Sequence, residues 1–216
     1  TEMGFLNGIF GKLSLEPVDT KIYDEALALF NDEAAQNETA EEVERRSIVN
    51  GLCCDTLPDG EGEFGFARTN PVPVNGLFGA WSYLSRLRSL RTGGPVYFQL
   101  AERDGSLALF EVISRSGSNA FDLWFSLCHP RRSHNVPEGY ILEREAVLPR
   151  GITTTADTFP KGLYREILKE AKRRLHVKVA DKESKYIDTE QALAGLETLR
   201  AERRHNEKCF CRRSDG

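Results

Sequence analysis

From residue 20 the apolar positions Ile22, Ala26, Leu29 and Phe30 recur at three- and four-residue spacing, which predicts a helix over residues 20–35. Thr39-Ala-Glu-Glu42 reads as a capping box, so a second helix is expected from there to Asn50-Gly51. The two form an antiparallel pair with acidic outer faces. A loop rich in Asp, Gly and Glu follows at 55–65. Helical spacing returns with Leu77, Trp81, Leu84 and Leu87 over residues 77–91, and Gly93-Gly94-Pro95 ends it. The period then drops to two. Residues 95–103, 107–115 and 120–128 are β-rich runs separated by Asp104-Gly105 and residues 116–119, which predicts an antiparallel meander. In the third run Phe121, Leu123, Phe125 and Leu127 share a buried face. Asp122 is expected on the exposed side, and Trp124 beside it needs a second layer or a partner to cover it.

A fourth strand is expected at 139–147. A helix from 160 to about 176 turns Leu163, Ile167, Ala171 and Leu175 inward, and a last helix runs from 188 or 189 to about 204. The fold class is therefore α+β: an antiparallel β-meander of three to five strands, with helices before and after it packed on one face. Residues 1–19 read as an N-terminal docking segment, 20–180 as a single α+β domain, and 181–216 as a C-terminal helix and polar tail.

Composition narrows the class. Of 216 residues, 40% are hydrophobic and 29% charged, which suits a folded globular chain and not a disordered one. No apolar run reaches the roughly 18 residues of a membrane span. Residues 4–13 do place Phe5, Leu6, Ile9, Phe10 and Leu13 on one helical face. Membrane-surface contact and docking on the core both fit that face; with Lys12 its one basic residue, docking is favoured. Met3 is the one methionine and reads as a start, with no secretory signal ahead of the fold. Five cysteines, an odd count in a chain of this size, point to a reducing, cytoplasmic setting. Charge is polarised. Residues 1–65 hold four Lys/Arg and fifteen Asp/Glu, a net of −11, and the remainder 25 and 18, a net of +7.

Residues 69–76, TNPVPVNG, are extended and stiff, because proline fixes its own φ and biases the residue before it. They form a strut that delivers a helix with Asn75 as N-cap; alternatively the helix start receives an anion. With YLSRLR at 83–88, this stretch resembles a T-N-P-x-P-V-N-G segment of uncharacterised bacterial proteins, and the resemblance implies no activity. Gly60-Glu-Gly-Glu-Phe-Gly65 looks like the glycine-rich loop of a protein kinase over six residues. Neither a Val-Ala-x-Lys strand, nor His-Arg-Asp, nor Asp-Phe-Gly accompanies it, so a mobile or hairpin loop is expected.

Cys128, His129 and His134 offer a thiol and two imidazoles within seven residues, with Cys53-Cys54 and Cys209-x-Cys211 elsewhere. No spacing among them is that of a zinc finger or ribbon. No metal or cofactor is expected, and Cys128 is expected to be buried beside a polar loop. No Gly-x-Ser-x-Gly, His-Glu-x-x-His or P-loop is present. The expected function is an intracellular, non-enzymatic protein-interaction module, an immunity-like or regulatory partner protein. An acidic partner would dock on Lys169, Lys172 and Arg173, a basic one on Glu41, Glu42 and Glu44, with Trp124 a further contact. Asn75, His129, Arg131 and His134 are candidate loop residues. The alternatives are a nucleic-acid-associated protein using the C-terminal basic surface, and an enzyme with a Cys/His site.

Overall fold

The computed structural model describes residues 21–145 and 188–214, together with Arg173. The segment at 4–13, the helix at 160–176, Lys169 and Lys172, and the Cys209 and Cys211 side chains lie outside the described residues. In chain order the elements are α1 (Lys21–Asn31), α2 (Glu33–Thr39), α3 (Glu42–Val49), β1 (Val72–Pro73), α4 (Gly76–Arg86) and β2 (Leu87–Ser89). After these come β3 (Val96–Asp104), β4 (Leu107–Ser114), β5 (Ala120–Ser126), β6 (Tyr140–Leu142) and α5 (Thr189–Ser214).

The single helix expected over 20–35 breaks in two at Asp32. Its backbone is extended there (φ −112°, ψ 106°), and its carboxylate accepts the Ala35 amide at 3.0 Å. An aspartate that caps a new helix interrupts a helical period without disturbing it. The Thr39 hydroxyl donates to the Gln36 carbonyl at 2.7 Å, so it finishes α2 and caps nothing in α3. The helix expected over 77–91 stops at Arg86. Leu87–Ser89 then pairs antiparallel with β6, with Arg88 opposite Ile141. Arg88, buried, donates to the Ser85 and Leu87 carbonyls and pairs with Glu143, which holds this turn out of the helix.

The meander β3-β4-β5 forms as expected, with Phe110 opposite both Leu100 and Leu123. The sheet is nevertheless mixed, in the order β1-β5-β4-β3, because β1 pairs parallel with β5. The expected fourth meander strand at 139–147 is only Tyr140–Leu142 and lies in the separate β2–β6 ribbon. The strut 69–76 is thus an edge strand. Val74 donates to the Ser126 carbonyl at 2.8 Å, while Pro73, without an N–H, offers its carbonyl to Ser133 at 2.8 Å. Proline is tolerated at a sheet edge, where one side needs no donor. Gly76, at φ +71°, then swings the chain into α4.

Both faces of the sheet are covered, not one. Phe98, Phe110, Leu123 and Phe125 pack with Ala80, Tyr83 and Leu84 of α4 in the main core. Phe110 and Phe125 meet edge-to-face at 5.3 Å, as do Tyr83 and Phe125 at 5.7 Å. On the other face α5 lies across β4 and β5. It buries Ala192 and Leu196 against a face where Leu109, Glu111 and Ile113 are all inaccessible.

Candidate functional site

β1 and β5 run parallel, so their C-terminal ends release the chain on the same side of the sheet. All four candidate loop residues lie on that side, and three of them, His129, Arg131 and His134, gather around residues that follow α3. Asp55 is the hub. Arg131 grips its two oxygens at 2.7 and 3.2 Å, the His134 amide donates to Oδ1 at 2.8 Å, and the His134 ring stands 3.1 Å away. The Ser133 hydroxyl donates to the Asp55 carbonyl at 2.6 Å, and Asn135 donates to Thr56 Oγ1 at 2.8 Å. Arg131, and after it the His134 amide, hold the Asp55 carboxyl well below the usual carboxylate range. The pair raises Arg131 in turn. Asp55 therefore contributes stability above its unfolded pKa of about 4, and loses it as pH falls through the lower folded value. Because its side chain is 39% exposed, the contribution is screened to about 1 kcal/mol or less. Acid urea melts should show Asp55→Asn less stable than wild type at pH 7, with the gap narrowing steadily from about pH 4 down to pH 2.

Asn75 sits at the N-cap position of α4 but does not cap with its side chain. Buried, it donates to Gln36 Oε1 and Asn37 Oδ1, both at 3.0 Å, and Asn37 donates on to the Pro130 carbonyl at 2.9 Å. Its role is to tie α2 to α4 and, through Asn37, to the 129–135 loop.

His129, and not Cys128, is the buried member of its pair. Its Nδ1 lies 2.6 Å from the Leu52 carbonyl, which fixes the tautomer with hydrogen there, and Nε2 accepts from the Ser126 hydroxyl at 2.8 Å. The Cys54 thiol is 3.8 Å from the same Nδ1. That nitrogen is already donating, so it takes no proton from Cys54. Burial, partly offset by Arg131, also pushes the Cys54 thiol up. Burial and then Glu44 push up the Cys128 thiol, against Arg103. The geometry holds these groups as structural contacts, with both His129 nitrogens engaged by Leu52 and Ser126 and neither directed at the Cys54 thiol as a base. Among the described residues no three His, Cys, Asp or Glu side chains converge as a metal ion needs, and no described helix is long and apolar enough to cross a membrane.

Beside this network stands α3. Ile48 anchors it in the core at 1% exposure, while Val43 is 80% exposed and Val49 55%. Leu52, whose carbonyl holds His129, is itself 52% exposed. Glu42 binds Arg46 and Arg45 at 2.8 and 2.6 Å, and these hold its carboxyl below its ordinary value. Glu44 meets Arg103 at 2.9 Å across a groove of about 630 Å³ between α3 and the β3–β4 turn, which Glu41 also lines.

The basic C-terminal surface is less basic than its sequence. Arg200 grips buried Glu111 through two bonds, at 2.8 and 2.7 Å. Arg203 grips Asp122 at 3.0 and 2.7 Å and reaches Glu111 at 3.2 Å. Asp122, expected to be exposed, is thus covered by α5. Trp124 on the same face carries the Arg68 guanidinium 4.8 Å from its ring centroid. Arg173 is exposed. The Gly60–Gly65 loop is docked on β5 at its end, where the carbonyl of buried Gly65 accepts the Trp124 amide at 2.7 Å.

No family model, curated protein or solved structure matches this chain.

Proposed function

We propose that the chain is a protein-interaction module that receives a basic partner on the face made by α3 and the loop that follows it. One observation carries the reading. Of the five large apolar side chains exposed among the described residues, Val43, Val49 and Leu52 fall within one ten-residue stretch. Removing such side chains from water on association contributes about 25 cal/mol per Å². Charged residues flank them, where Glu38, Glu41, Glu42 and Glu44 outnumber Arg45, Arg46 and, across the groove, Arg103, for a local net charge of −1. That balance favours encounter with a basic surface. The Asp55 and His129 contacts hold the loop in place beforehand, which lowers the ordering cost of binding. The free thiols of Cys53, Cys54 and Cys128 fit a reducing, cytoplasmic setting. An immunity-like or regulatory role fits this layout, in which the face carries no catalytic arrangement of its own. Arg200 and Arg203, committed to Glu111 and Asp122, are not available to the phosphates of the alternative nucleic-acid reading.

The test is affinity capture from the native host with wild type and with Val43→Asp/Leu52→Asp. The double variant is expected to lose the partner while keeping its urea midpoint. The on-rate of the identified partner should fall about tenfold or more from 50 to 500 mM salt, as exposed charges are screened. Equal capture by the double variant would sink the proposal.

A further inference from the structure

A cleft of about 430 Å³ opens on the outer face of the sheet beside α5. Phe66, Trp124 and Leu199 supply its apolar wall. The indole already carries a cation, Arg68, which is held only by Asp104 at 2.5 Å, with both side chains well exposed at 47% and 61%. An exposed pair of this kind contributes little, so Arg68 is free to swing away. Glu102 and Glu202 also line the cleft; both are exposed, and neither pairs with a cation among the described residues. Asp122 is spent on Arg203. With Arg68 and Arg203 set against Glu102, Asp104, Asp122 and Glu202, the local balance is −2.

An indole beside unpaired carboxylates is the chemistry that holds an alkyl guanidinium or ammonium. The ring attracts the cation, a carboxylate accepts its charge-assisted hydrogen bonds, and the stem packs on apolar surface. The geometry points to a subsite for an arginine or lysine side chain of a basic protein segment, bound over Trp124 between Glu102 and Glu202 in exchange with Arg68. The subsite is separate from the α3 face and does not depend on it. The two lie near enough to share a partner, since Arg103, the neighbour of Glu102, pairs with Glu44 of α3.

The exchange makes an uncommon expectation: removing the resident cation should tighten binding. A hexa-arginine peptide would be titrated into the full chain while the two indole N–H resonances are followed by NMR, with Trp124→Phe to assign them. The Trp124 resonance should shift saturably and the Trp81 resonance should stay. Affinity should weaken about tenfold in Glu102→Gln/Glu202→Gln and strengthen about threefold in Arg68→Ala, consistent with the usual size of exposed cation–π and charge terms. A Trp124 resonance unmoved at millimolar peptide would overturn the subsite. So would equal affinity in the glutamine variant, or loss of binding in Arg68→Ala. Peptide shifts confined to α3 residues such as Val43 would also overturn it, and would leave the α3 reading standing.

Discussion

Glu111→Ala should lower stability by about 2–3 kcal/mol, because it leaves half-buried Arg200 without its carboxylate and buried Gln99 without its acceptor. Glu111 is 2% exposed and is held by Arg200, Arg203 and Gln99, the last at 2.7 Å. Burial alone would raise its pKa, but the bonds from Arg200 and Gln99 outweigh burial and leave it lowered. Asp122 has Arg203 as its bonding partner and the charge of Glu111 nearby, so burial wins and its pKa is raised. Glu111→Gln, which keeps the shape and loses the charge, should fall between wild type and alanine. The paired exchange Glu111→Leu/Arg200→Met should recover most of the loss, since apolar residues of similar volume replace buried ion pairs at little cost. Urea melts give the stabilities, and hydrogen exchange should show α5 opening first in the alanine variant. A loss under 1 kcal/mol for Glu111→Ala would mean that α5 is held by Ala192 and Leu196 alone.

Gly51→Ala should be as damaging, for a different reason. A Cβ at Gly51 would stand 1.8 Å from the Cys128 carbonyl oxygen and 2.8 Å from its carbon. Both are backbone atoms in a segment joined to the sheet through the Asn75–Cys128 bridge, so no side chain can rotate aside. The end of α3 has to move, and the neighbouring Leu52 carbonyl moves with it, away from His129 Nδ1. The cost should reach about 3 kcal/mol, the upper end of overpacking. It should appear as a lower urea midpoint with an unchanged slope, together with faster maleimide labelling of Cys54. A midpoint within experimental error of wild type would show that the approach of α3 to residue 128 is slack.

The meander was legible because a two-residue period is a local signal and its turns carry Asp-Gly and Gly-Ser. The extended, stiff character of 69–76 was legible from its prolines, but its parallel pairing with β5 joins residues about fifty positions apart and leaves no local trace. The break at Asp32 went unread because the apolar period continues through it. Of the site, the sequence pointed to His129, Arg131 and His134 as loop residues with polar chemistry. It did not point to Asp55, whose ligands lie 76 to 79 positions later. Glu111 did leave a signal. It stands between Leu109 and Ile113 on one strand face, and a lone carboxylate in such a row needs a cation. Arg200 and Arg203, three apart on one helix face, are that cation pair. Reading all C-terminal Lys and Arg as solvent-facing concealed it.

The claim that α3 and its following loop form the docking face is tested most directly by photocrosslinking in the native host. A benzophenone amino acid would be placed in turn at Val43, Leu52 and, as a control on the β2–β6 ribbon, Ile141, which is 44% exposed. The expected result is one and the same protein, basic in composition, crosslinked from positions 43 and 52 and not from 141. Crosslinks from 141 alone, or the same products from all three positions, would contradict the assignment of this face.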